Sequence, residues 1–186
     1  MKKLITLCSA LAAFVVLPLQ AADDISANPG YLDFGKYVGV YAQDSTVEVQ
    51  LRRPLLKLAA SIIEEQNPDV SELINSVELV RVHVYEVNEE NREKLAESVQ
   101  AIAQNLTERK WEQLVSVRDN GDNVAIFANM PSEEAIAGLV VSVSSGDEAV
   151  FVNVVGNVSL EDLADLGKHL DIPQLDKITK KIEKKS

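Results

Sequence analysis

The sequence predicts an α+β domain: one mostly antiparallel sheet of five or six strands, covered on one face by about three helices. Three observations predict it. Leu139 to Val143 and Ala149 to Val155 are dense in β-branched residues, and Ser145-Gly146-Asp147 between them supplies the turn of a tight hairpin. Asp119-Asn120-Gly121-Asp122 is a second hairpin signal, joining Trp111 to Val117 with Val124 to Met130. Two further alternating stretches, Thr46 to Leu51 and Val77 to Val87, are each followed by a run whose apolar residues recur at helical spacing.

The chain opens with Lys2 and Lys3, an apolar run from Leu4 to Leu17, Pro18, and the small residues Ala21 and Ala22, the order of a secretory signal peptide. Residues 1–21 are therefore read as a leader with cleavage near Ala21 or Ala22, and the mature chain as periplasmic or secreted with no transmembrane segment. The one cysteine, Cys8, lies in that leader, so a mature chain of 165 residues (186 less 21) has neither disulfides nor thiolate metal ligands. Its charge falls from −11 to −13 when Lys2 and Lys3 leave with the leader. So acidic a protein excludes nucleic acid as a partner.

Residues 22–45 form an N-terminal arm with a turn at Asn28-Pro29-Gly30. Tyr31, Phe34, Tyr37 and Tyr41 suit either a binding surface or an arm tucked onto the core, and the second is favoured because aromatics dominate core burial. Residues 46–172 make the single domain. After the Thr46 to Leu51 strand, Pro54 sits in the first turn of a helix that places Leu55, Leu58, Ala59, Ile62 and Ile63 on one face before Asn67-Pro68 stops it. Arg52 and Arg53 read as solvated charges rather than an anion site. A short helical turn near Val70 to Ile74 leads into the longest strand, Val77 to Val87.

A helix from Glu89 to Leu106, capped by Asn88, carries Leu95, Val99, Ile102, Ala103 and Leu106 as its stripe. Gly156 is expected to end the last strand, and Ser159 to cap a helix bearing Leu160, Leu163, Leu166 and Leu170. Residues 173–186 are a basic tail. It has five lysines and a few apolar residues, and it is read as a solvated helix end more than as a lipid anchor.

Catalytic signals are missing from the pattern. His83 and His169 are 86 residues apart without ligand spacing, no serine lies in a nucleophile elbow, and the paired glutamates sit at helix ends and turns. No cofactor, metal or enzymatic role is expected. In Val77 to Val87 the row Val80, Val82, Val84 is assigned to the covered face, leaving Arg81, His83 and Tyr85 on the open one. With Ser116, Ser142, Ser144, Phe151 and Asn153 they make a candidate interaction face, as an alternative to an ordinary solvated face or a dimer contact.

The order TVEVQL, helix, VELVRVHVYEV, helix, WEQLVSVRDNGDNVAIFA and GLVVSVSSGDEAVFVNVVGNVSLEDL resembles the bacterial domain-of-unknown-function family numbered 4252, from about Val47 to Leu170. The resemblance implies a small exported envelope protein, with no catalytic residues to carry over. It also implies genes beside extracytoplasmic-function sigma factors and their anti-sigma partners, hence a role in envelope signalling. The expected function is a non-enzymatic binding or signalling accessory whose partner is another envelope protein. An enzyme with an unrecognised site and a homo-oligomeric structural protein are the alternatives, and the oligomeric state is left open.

Overall fold

The computed structural model describes residues 24–38, 45–119, 122–133 and 135–159. Six strands form one sheet: β1 (Ser45–Arg52), β2 (Val77–Glu86), β3 (Glu112–Asp119), β4 (Asp122–Asn129), β5 (Ala135–Ser144) and β6 (Glu148–Ser159). Their order is β1-β2-β6-β5-β4-β3, and every neighbouring pair is antiparallel. The α+β class and the strand number thus agree with the sequence reading. Strands β3 to β6 are a run of hairpins, and the last strand is laid between β2 and β5.

A 3-10 turn (Ile25–Ala27) and four α-helices complete the described chain: α1 (Gly35–Val38), α2 (Arg53–Ile63), α3 (Pro68–Ser76) and α4 (Arg92–Glu108). Pro54 and Pro68 occupy first turns, where a missing N–H costs nothing. Helix α4 begins later than the sequence suggests. The Asn88 side chain accepts hydrogen bonds from the Glu90 and Asn91 amides, 2.9 and 3.0 Å, and so builds a turn ahead of the helix rather than capping it. At the other end Lys110 takes a left-handed φ of 62°. The Lys110 amide donates to Thr107 O and the Trp111 amide to Leu106 O, 3.0 and 2.9 Å, which closes α4 in a Schellman motif.

The sequence reading put the helices on one face of the sheet; the structure divides them between two. Leu95, Ile102 and Leu106 of α4 pack with Phe34, Tyr85, Phe127, Val140 and Phe151 in one core. Leu56 of α2 and Leu73 of α3 pack with Leu114, Ala128, Ile136 and Val158 in another. A sheet this wide has two apolar faces, and one layer of helices covers only one of them.

The N-terminal arm is held on the α4 side. Leu32, Phe34 and Val38 are fully buried, while Tyr31 and Tyr37 are half-buried; of the aromatic run Phe34 is thus core, and Tyr41 lies outside the described residues. Arg109 at the end of α4 donates to the carbonyls of Pro29 and Tyr31, and the Ser98 hydroxyl donates to Tyr37 O.

Gly156 does not end β6, which continues to Ser159. It lies against Ser76 and Val77, and its missing Cβ lets their backbone pass. The helix expected after Ser159, the basic tail and the leader fall outside the described residues.

Candidate interaction face

Register places every residue of the expected face on one side of the sheet. Arg81 is opposite Asn153, His83 opposite Phe151, Ser142 opposite Phe151, and both Tyr85 and Ser144 opposite Ala149. Ser116 joins them through Ala125, which is opposite Ser142. The pleat was read correctly from the sequence, but the face is closed rather than open. His83 is 4 % exposed and Asn153 0 %, with Tyr85, Phe151 and Ser142 similarly buried; Arg81 and Ser144 are half-buried and only Ser116 is exposed. The arm and α4 cover this side. Its large members, Phe127, Phe151 and Tyr85, are what they cover.

The polar side chains of this layer serve the arm. Asn153 accepts from the Leu32 amide at 2.9 Å and donates to Gly30 O at 3.0 Å and Leu139 O at 3.1 Å, so it ties the arm to β5 and β6. Arg81 donates to the Tyr31 hydroxyl at 2.9 Å, lies over the Tyr31 ring, and faces the Asp33 carboxylate at 4.0 Å. His83 stacks on Tyr85, centroids 6.4 Å apart, and takes the Phe34 ring edge-on at 5.6 Å.

Glu48 Oε1 lies 4.0 Å from His83 Nε2, yet neither ring nitrogen of His83 nor the Tyr85 hydroxyl has a hydrogen-bond partner among the described residues. Burial, and then the Arg81 charge, hold the His83 pKa below its ordinary value, while Glu48 and Asp33 oppose them. Burial pushes the Tyr85 hydroxyl up. Both rings are neutral packing elements at pH 7.

The opposite side is the apolar one. Val47, Val49 and Leu51 of β1 continue through Val84, Val82 and Val80 of β2 to Val150, Val152 and Val154 of β6. From there the rows run through Val143, Val141 and Leu139 of β5 to Val124 and Ile126 of β4 and Val117 and Val115 of β3. Val80, Leu139, Val154, Ile126 and Val115 pack against the core under α2 and α3. The row Val80, Val82, Val84, which the sequence reading buried under helices, is half-exposed throughout, and the rim is more open: Val47 is 45 % and Val117 50 % exposed.

Helix α2 is also turned from its expected pose. Leu56 and Ala60 are buried, and the Ser71 hydroxyl donates to Ala60 O at 3.0 Å, so α3 approaches along the alanine. Leu55, Leu58 and Ile62, expected in the core, face solvent. The signal was present in the sequence: Leu55, Leu56, Leu58, Ala59, Ala60, Ile62 and Ile63 wrap an arc wider than one sheet contact can use.

Among the described residues no group of three or more His, Cys, Asp and Glu side chains could hold a metal ion, and no helix is long and apolar enough to cross a membrane. The class these features define is an α+β domain with one antiparallel sheet between two helical layers, one sheet face closed and the other half-open. The model of the family described as a domain of unknown function (DUF4252) matches residues 40–166, and the chain belongs to that family. No curated protein and no solved structure matches the chain.

Proposed function

We propose that the protein is an exported, non-enzymatic binding module of the cell envelope that takes an extended segment of another envelope protein along β1. The observation that carries this reading is that β1 stands at a sheet edge with Val47, Val49 and Leu51 exposed in a row. An edge strand presents unpaired N–H and C=O groups, and an incoming strand continues the ladder. Apolar side chains of that segment would lie beside Val47, Val49 and Leu51, and polar ones beside Glu48 and Gln50.

Edges closed to such pairing carry lysine, proline or a central bulge. Thr46 to Leu51 has neither residue, and its irregularity lies at the Ser45–Val47 entry. The leader-like start supports export, and the family resemblance supports an accessory role in envelope signalling. A non-enzymatic role is supported by the enclosure of His83 between Phe34, Tyr85 and Arg81.

The test is photo-crosslinking in the living cell from a reactive side chain placed at Val49, with Gln104 on α4 as the control position. The same protein product is expected from Val49 and not from Gln104. Val47→Lys with Leu51→Lys should abolish it while moving Tm by about 2 °C or less, as exposed substitutions do. A Val49 product unaffected by the two lysines, or none at all, overturns the reading.

A further inference from the structure

We propose that the outer stripe of α2 rests on a phospholipid bilayer carrying anionic headgroups. Leu55, Leu58 and Ile62 recur at positions i, i+3 and i+7, and at 55 %, 57 % and 68 % exposure they are the most open large apolar side chains described. Ala59 lies exposed among them. The helix is fixed in this pose from the other side, by Leu56 in the core and by the Ser71 to Ala60 hydrogen bond that seats α3. The stripe therefore points away from both the sheet and α3.

Charge names the occupant. Residues 49–63 hold Arg52, Arg53 and Lys57 and no carboxylate, in a chain whose net charge is −11. Such a local reversal of sign beside an apolar helical stripe matches the interface between anionic headgroups and acyl chains. All three cations are exposed.

Arg53 shares its charge with Glu78 at 3.7 Å, and Glu64 and Glu65 follow the helix at its C-terminal end. The N-terminal half of α2 thus lies nearest the headgroups. Arg52 closes β1, but the apolar stripe lies wholly on α2, so either reading can hold without the other.

Flotation of the purified, leader-free protein on vesicles of phosphatidylcholine, with and without one-third phosphatidylglycerol, tests it. The protein is expected to float with the anionic vesicles, to float much less with neutral ones, and to be released by salt. Leu58→Gln with Ile62→Gln should lower partitioning at least tenfold with an unchanged circular dichroism spectrum. Arg52→Gln and Lys57→Gln should each lower it about fivefold, whereas Val47→Gln, on β1 and outside that stretch, should float like the parent.

A protein that stays with the soluble fraction overturns the proposal, as does a double glutamine variant that floats equally well. A parent that does not float but sediments as a dimer, split by the same two glutamines, assigns the stripe to a second copy of the chain instead.

Discussion

Gly30 and Gly138 meet backbone to backbone: a Cβ on Gly138 would overlap the Cα and carbonyl of Gly30, and one on Gly30 would overlap the carbonyl of Ala137. The arm crosses β5 here without an intervening side chain, and only that closeness lets Asn153 reach both Gly30 O and the Leu32 amide. Gly138→Ala is expected to lift the arm and lower unfolding free energy by about 1–3 kcal/mol. A urea titration measures the loss, and faster proteolysis before Phe34 locates it. An unchanged midpoint with an unchanged digestion pattern would contradict this account.

Tyr85 separates packing from hydrogen bonding. Its ring is buried against Phe151 and His83, but its hydroxyl has no partner among the described residues. Tyr85→Phe should therefore be neutral or slightly stabilising, since it removes an unsatisfied buried polar group. Tyr85→Ala should cost about 3–5 kcal/mol. Equal losses for the two variants would show that the hydroxyl is bonded in solution.

His83 makes stability depend on pH in a stated direction. Its folded pKa lies below the unfolded value, so the unfolded chain binds the proton more readily. Stability is then full above about pH 6.5, falls as pH drops below that, and levels off once pH passes the lowered folded value. Glu48, Asp33 and Arg81 face the ring, and the net effect of this group keeps the sign given by burial and Arg81. Thermal melts from neutral to mildly acidic pH should show Tm declining in the parent and a flatter profile in His83→Gln. Parallel profiles would remove His83 as the cause.

Lys110 holds the one left-handed non-glycine backbone among the described residues. Glycine adopts that conformation without a Cβ penalty, and the Schellman bonds to Thr107 and Leu106 do not use the lysine side chain. Lys110→Gly should stabilise the protein by about 0.5–1 kcal/mol. A denaturant midpoint that falls would show instead that the lysine side chain contributes to the end of α4.

The strands, their pairing into hairpins and the sharing of faces were legible because β periodicity and turn chemistry are local. Which face is covered was not. In β2 the row Val80, Val82, Val84 is more apolar than Arg81, His83, Tyr85, and Ser116, Ser142, Ser144 and Asn153 in the other strands make the arginine side look polar as well. The neighbours reverse the balance, since Phe151 and Phe127 stand on the arginine side and the arm adds Leu32, Phe34 and Val38 there. Phe151 already stood in the expected face, but what covers it comes from the arm and α4, far away in sequence, which no local pattern reveals. The exposed stripe of α2 was missed for a related reason, because its apolar arc is wide enough to fit more than one contact and only the position of α3 selects the buried part.

The place of β6 in the sheet has a consequence for the order of events during synthesis. Strands β2 and β5 each lack a second neighbour until Glu148–Ser159 has emerged, and Phe151, Asn153 and Val155 at the centre of the closed face arrive with it. A chain delivered N-terminus first cannot complete its interior piecemeal. It remains threadable until nearly the whole sheet is available, then closes in one late step that joins residues more than a hundred positions apart, at the slow end of single-domain folding rates.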